Sequence, residues 1–238
     1  MEQAKLEGKI WQTFHKTCAD YGLLQDGDRI LVGLSGGKDS LALVELLGRQ
    51  KRIYVPEIEV IAVYIQLSGR SYLSDTAYLA DFCGQWEIPF YVRHAEIKGE
   101  ERKDACFLCS WYRRKCLLQT AGELGCGKIA LGHHQDDVLE TMLLNLIYGG
   151  RFGSICPSFS LDKMPVTFIR PLYDITESDI GLWADLRGYA VQKLRCPFEK
   201  ENRREQMHRI LEDWVKINPN VRSSLMHALK ENLFHGDK

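Results

Sequence analysis

The chain has 238 residues, 45% of them hydrophobic and 26% charged, the make-up of an ordinary globule with one good-sized core. Its formal net charge of −1 excludes a global cationic field for nucleic acid, so any RNA contact has to use a local basic patch. No apolar run approaches the roughly 20 residues that span a bilayer, and the charged start MEQAKLEGKIWQTF has no signal-peptide core.

The expected compartment is therefore the reducing cytoplasm, with no membrane partner. There, eight cysteines read as thiols, ligands or catalysts rather than as a disulfide framework.

Residues 3–25 predict a helix, with Leu6, Ile10, Phe14 and Cys18 near helical spacing and the turn QDGD at its end. Arg29–Leu34 (RILVGL) predicts a strand, followed by the loop Ser35–Gly36–Gly37 and a helix over about 38–47. Glu59–Gln66 lacks polar alternation, as a strand buried on both faces should. A helix near 75–86 and a strand at 90–92 come next.

The segment KDACFLCSWYRRKCL opens a further helix that runs to about Leu124. Lys128–Leu131 predicts a strand delivering Gly132, His133 and His134, and 136–148 a helix stopped by Gly149–Gly150. Val166–Ile169 is strand-like, 179–186 helical, and the last forty residues form two helices broken at INPN. In the first of these Met207, Ile210, Leu211, Trp214 and Val215 share a face.

Strands alternating with helices predict an α/β fold, a parallel sheet of about five strands with helices on both faces and a helical C-terminal extension. The expected division is an N-terminal helix (1–27), a core domain (28–190) and the extension (191–238).

Two loops carry the chemistry. In LVGLSGGKDSLAL the glycines let backbone amides crowd an anion, and the helix start adds partial positive charge. Ser35 and Ser40 offer hydroxyls to phosphate, Lys38 a neutralising charge and Asp39 a ligand for Mg²⁺. The plain alternative is a Gly-rich turn with Ser and Asp capping the helix. In ALGHHQDDVLETMLLNL, Asp136 and Asp137 open a helix, where one serves as cap and the pair offers a magnesium site facing the phosphate loop.

Cys106 and Cys109 have the spacing of a metal or cluster clip, a redox dithiol or a disulfide. Zinc would want a second close pair of ligands, and a redox dithiol a thioredoxin-like context. Cys116, about three helical turns beyond Cys106, is expected to pack, and buried thiol is the default for Cys18, Cys83, Cys126 and Cys156.

The hexapeptide SGGKDS after an apolar strand resembles the PP-loop of the ATP pyrophosphatases. Together with C-x-L-C-S-x-x-R-R, K-I-A-L-G-H-H-x-D-D-x-x-E-T, N-x-x-Y-G-G and I-R-P-L in this order, the chain from about Asp28 onward is similar to the tRNA 2-thiocytidine synthetases. That resemblance implies a cytoplasmic homodimer that adenylates and thiolates C2 of a cytidine in the tRNA anticodon loop.

It implies ATP at Leu34, Ser35, Gly36, Gly37, Lys38, Asp39, Ser40, Tyr64, Ile65 and Gly132, and catalytic roles for Lys38, Asp39, Asp137 and Arg170. It further implies Mg²⁺ at Asp39 and Asp137, and a [4Fe–4S] cluster on Cys106, Cys109 and Cys196. The partners implied are tRNA and a sulfur donor, either the persulfide of a cysteine desulfurase or sulfide. Where the family has a downstream cysteine pair, this chain reads RCPFEKEN, with Cys196 alone.

Arg113, Arg114, Lys115, Arg195, Arg203 and Arg204 are candidates to steer RNA phosphates, their plain alternative being solvated helix faces. Trp111 and Tyr112 could stack on a base or pack in the core. Three rivals remain open: a tRNA uridine thiolase, a lysidine-type ligase and a non-catalytic ATP-binding protein.

Overall fold

The computed structural model describes residues 2–68, 74–96, 105–162, 164–192 and 203–235. Helix α1 (Glu2–Asp20) leads into strand β1 (Asp28–Gly33) and helix α2 (Lys38–Ile53). Then come β2 (Ile58–Leu67), α3 (Thr76–Gln85), β3 (Phe90–Ala95), α4 (Ala105–Glu123), β4 (Lys128–Ala130) and α5 (Gln135–Gly149). The chain continues through β5 (Ser158–Ser160), β6 (Thr167–Ile169), α6 (Glu177–Arg187), α7 (Arg203–Ile217) and α8 (Val221–His235).

The sheet order is β3-β2-β1-β4-β6-β5, parallel throughout except for β5, which runs antiparallel to β6. The five parallel strands are those expected from the sequence. The sixth carries three exposed residues, Ser158, Phe159 and Ser160, so no run of buried apolar residues announces it.

Side chains along the central strands alternate between two cores, as a pleated strand requires. Ile30, Val32, Val60, Ala62 and Tyr64 pack with α1, α2, α3 and α6 on one face, against Phe14, Leu43, Leu79 and Trp183. Leu31, Ile61, Val63 and Ile65 pack on the other with Leu117 and Ala121 of α4. A third cluster joins α5 to α7 and α8 through Leu139, Met142, Met207, Leu211 and Met226.

Several ends differ from the sequence expectation. α1 stops at Asp20, two residues before Gly22, whose φ is +59°, and α2 continues past Gly48 to Ile53. β3 runs on to Ala95. On α7, Met207 and Leu211 are buried, but Trp214 is 38% exposed and does not join them, because the α5 contact is made by the earlier turns. Among the described residues, no helix is long and apolar enough to cross a membrane.

Candidate active site

Strand order reverses direction between β1 and β4, and in open α/β sheets the crevice outside the carboxyl ends at such a point is where ligands bind. The loop after β1 is SGGKDS and the loop after β4 is GHHQDD, so the topology brings the two chemistry-bearing loops together.

Gly36 adopts φ +85°, a left-handed conformation that L side chains rarely take. A Cβ there would also stand 2.6 Å from Cγ of Gln192, whose backbone N–H donates to the Gly36 carbonyl at 2.8 Å. Ser40 is buried and its Oγ donates to the Gly37 carbonyl (2.9 Å) while accepting from Ser35 N–H (3.2 Å). Ser40 therefore braces the loop, and Ser35 is the hydroxyl left at the exposed rim. Gly132 passes so close to α2 that a Cβ would meet the backbone of Asp39 and Ser40 at 3.2 Å.

An apolar pocket opens beside this loop, lined by Gly33, Leu34, Ser35, Tyr64, Ile65 and Leu131, with Arg113 and Leu117 of α4 closing it. Tyr64 is anchored by accepting the Ser74 N–H at its hydroxyl (3.2 Å), and Ser74 Oγ donates to the Ser35 carbonyl (3.2 Å). An adenine-sized planar group fits the chemistry of such walls.

On the other side of the loop the residues carry charge. Lys38 Nζ lies 2.9 Å from Glu177 and 3.1 Å from Asp39. Burial works against its charge, but the hydrogen bond it donates to Glu177 and the fields of Asp39 and Glu177 outweigh it and raise its pKa.

Asp39 Oδ1, the atom that faces Lys38 Nζ at 3.1 Å, is buried and accepts no hydrogen bond, and it lies 3.7 Å from His134 Nε2. Asp137 Oδ2 is 3.5 Å from the same nitrogen, so the two carboxylates flank one imidazole. His134 and Asp137 also form a reciprocal capping box at the start of α5.

Asp136, by contrast, is 2% exposed and points away from the loop; it accepts from Glu177 N–H and is ion-paired with Arg222 of α8. Of the two neighbouring carboxylates, Asp137 alone lines the charged pocket.

Arg170 follows β6 and donates from Nε to His133 Nδ1 (3.3 Å) and from Nη1 to the Cys156 carbonyl (2.5 Å). Burial, with the nearby Arg170 charge adding to it against Asp137, pushes the His133 pKa down to about 4, so His133 is a neutral acceptor here.

Cys109 is half-buried and lies one helical turn before Arg113, which reaches the apolar pocket. Cys106 falls in the first turn of α4, but its side chain, like Cys196, Lys193 and Arg195, lies outside the described residues. Cys116, Cys18, Cys83 and Cys126 are buried, with burial raising their pKa values, to about 12 for Cys18 and Cys83. Cys156 is only half-buried, because it sits on the loop beneath Arg170. Among the described residues no group of three or more His, Cys, Asp or Glu side chains is gathered as a metal site.

The basic candidates divide. Arg114 and Lys115 are exposed on α4, Lys115 over the ring of Trp111, which is itself 46% exposed. Tyr112 packs at the edge of the second core. Arg203 covers the ring of Tyr148. Arg204 has its guanidinium paired with Asp137 at 2.9 Å and lines the charged pocket.

Glu177, Glu140 and His208 also line that pocket and were not legible as site residues. They stand on α6, α5 and α7, and only the tertiary fold gathers them.

The PP-loop domain family matches residues 4–193. The tRNA-cytidine(32) 2-sulfurtransferase of Paraburkholderia xenovorans is 33% identical over 235 residues, 96% of this chain and 69% of the relative. That of Polynucleobacter asymbioticus is 32% identical over 247 residues, 99% of this chain and 81% of the relative. Among solved structures, the U34-tRNA thiolase NcsA of Methanococcus maripaludis, determined with its [4Fe–4S] cluster, superposes with a TM-score of 0.82. It is 25% identical, with 98% of this chain and 80% of that one covered.

Proposed function

The chain belongs to the PP-loop family and, within it, to the tRNA-cytidine 2-sulfurtransferases, and from that premise we propose that it thiolates C2 of a cytidine in a tRNA anticodon loop. It is an ATP-using tRNA-thiolating enzyme; the base, the cluster and the residue roles that follow are our reading. The observation that carries it is α4: the helix that bears Cys106 and Cys109 sends Arg113 into the wall of the pocket beside the phosphate loop. Thiol chemistry and nucleotide chemistry then share one edge of the sheet.

In this reading the adenine lies against Leu34, Tyr64 and Ile65, and the amides around Gly36 and Gly37 hold the phosphates with Lys38. The C2 oxygen of the base attacks the α-phosphorus, the bond to the bridging oxygen breaks, and pyrophosphate leaves with the electron pair. Adenylation makes a poor leaving group a good one, so sulfur can then displace AMP.

Asp39 and Asp137 suit a divalent cation, because their carboxylates flank His134 and Asp39 Oδ1, buried and without a hydrogen bond, has among the described cations only the Lys38 ammonium, at 3.1 Å, to balance its charge. When bound, Mg²⁺ neutralises polyphosphate charge there. Arg170, held by His133 and the Cys156 carbonyl, is aimed from the β6 end of the same edge and would steady the activated base.

Cys109 has the partial burial a cluster ligand needs, and Gln192, four residues before Cys196 in sequence, lies on the phosphate loop. Cys106, Cys109 and Cys196 would hold a [4Fe–4S] cluster, whose soft iron supplies a carrier for sulfur. The partners we propose are tRNA and a sulfur donor, a desulfurase persulfide or sulfide; a homodimer rests on family likeness alone.

Anaerobic purification with iron and sulfide analysis of wild type and Cys196→Ala tests the cluster: iron-rich brown wild type and depleted variant are expected, and a colourless, iron-free wild type defeats it. The structural likeness to a U34-tRNA thiolase favours a uridine as the second reading. Mass spectrometry of tRNA nucleosides from a strain lacking the gene decides between them. Loss of 2-thiocytidine is expected, and its persistence with loss of 2-thiouridine would move the assignment to uridine.

A further inference from the structure

Helix α7 stands outside both loop motifs, yet four of its residues, Arg204, Glu205, His208 and Arg209, line the charged pocket. Arg204 and His208 are four residues apart and share a helical face. Arg204 Nη1 is 2.9 Å from Asp137 Oδ1, and His208 Nδ1 is 3.2 Å from Glu140 Oε1 and 4.0 Å from Glu177. The helix is held down independently by Met207 and Leu211 in the third core, while Arg222 on the next helix grips Asp136.

The pocket these residues line also contains Lys38, Asp39, Glu140 and Glu177. A polyphosphate entering it meets several carboxylates, and Lys38, the single cation of the phosphate loop, is already shared between Glu177 and Asp39. Of the two arginines that α7 adds to the pocket, Arg204 is 41% exposed and paired to a carboxylate that a divalent cation would claim. A guanidinium presents five N–H donors in a fork that matches phosphate oxygens as well as carboxylate.

We infer that Arg204 exchanges Asp137 for the pyrophosphate end of the nucleotide, so that α7 supplies the cation that receives the leaving group. The inference rests on the adenylating reading above and adds a residue to it. As the bond between the α-phosphorus and the bridging oxygen breaks, the electron pair and charge arrive on pyrophosphate oxygens, and the Arg204 N–H groups stabilise them. The His208–Glu140 contact and the apolar seam keep α7 docked while Arg204 changes partner.

The test is calorimetric titration of the full chain with inorganic pyrophosphate and, separately, with AMP, each with and without Mg²⁺. For Arg204→Ala, pyrophosphate affinity should fall about tenfold or more, with AMP affinity kept and Arg204→Lys restoring only part. Asp137→Asn keeps a cap acceptor but releases the arginine, so in metal-free buffer it should tighten pyrophosphate several-fold, and the gain should be largely lost in the Asp137→Asn/Arg204→Ala double variant, which separates release of the arginine from the mere loss of a negative charge. Should Arg204→Ala fail to fold, Arg204→Gln reads the same constant.

Unchanged pyrophosphate affinity in the Arg204 variants with AMP binding intact would overturn the inference. Wild-type protein that binds neither AMP nor pyrophosphate would remove the adenylating reading along with it.

Discussion

On one side of the phosphate loop, Leu34, Tyr64, Ile65, Leu117 and Leu131 wall the pocket with apolar surface, and the polar groups nearby are satisfied within the fold. On the other side, Lys38, Asp39, Asp137, Glu140, Glu177 and Arg204 crowd formal charges around a buried imidazole. The apolar half is made of strand ends whose geometry the sheet imposes, closed by Leu117 of α4. The charged half is made of side chains from α2, α5, α6 and α7, and its energies depend on partners rather than on area. Both halves draw on segments distant in sequence, but the apolar one follows from strand pairing and short apolar runs, whereas the charged one depends on which helix side chains meet over the loop.

The sharpest way to break this contrast is Asp39→Asn. The amide keeps the size of the side chain but cannot neutralise a cation, so thiolation should fall about 10²–10³-fold while the melting temperature holds within a few degrees. An active Asp39→Asn enzyme would show that the charged half is only structural.

Gly36→Val comes next. The left-handed φ and the 2.6 Å approach to Gln192 leave no room for a side chain, so the loop has to shift at a cost of about 1–3 kcal/mol. ATP affinity should weaken about tenfold, measured by titration with a non-hydrolysable analogue, since the loop feeds both halves.

The order of strands and helices was legible because each central segment is a short apolar run and each helix has its period; Ile30–Val32 and the α1 face of Ile10, Phe14 and Cys18 are examples. Asp39, Asp137 and the glycines could be found because they sit in contiguous motifs. Glu177 and His208 could not be, since each looks like an ordinary helix-surface residue until α6 and α7 fold over the loop. Arg204 was legible as a basic residue but not as the partner of Asp137, because a pairing across sixty-seven positions leaves no local pattern. The edge strand β5 escaped for the opposite reason: it buries nothing.

A smaller effect should separate His133 from its neighbour His134. Burial holds His133 neutral in the folded protein, with its pKa pushed down from 6.5 to about 4, so the folded state binds fewer protons there than the unfolded chain. Its contribution to stability is complete above about pH 6.5 and is lost as the pH falls toward 4. His133→Asn removes that titration and keeps a group able to accept from Arg170. Its melting temperature should therefore decline less than that of wild type across this window, with activity at neutral pH reduced only a few-fold. An identical decline in the two proteins would mean that other groups carry the acid sensitivity.

The smallest effect belongs to the apolar half. Tyr64→Phe keeps the ring against the pocket and removes only the hydroxyl that accepts the Ser74 N–H. The loss should be about 1 kcal/mol of stability, read by chemical denaturation, because Ser74 still donates its own hydroxyl to the Ser35 carbonyl and keeps its place beside the loop. Nucleotide affinity should be unchanged, since the ring that faces the pocket stays in place and the charge in that wall, on Arg113, is untouched. A fall in affinity as large as that of Gly36→Val would mean that the Tyr64 hydroxyl positions the phosphate loop through Ser74, and the two halves would then be one mechanical unit.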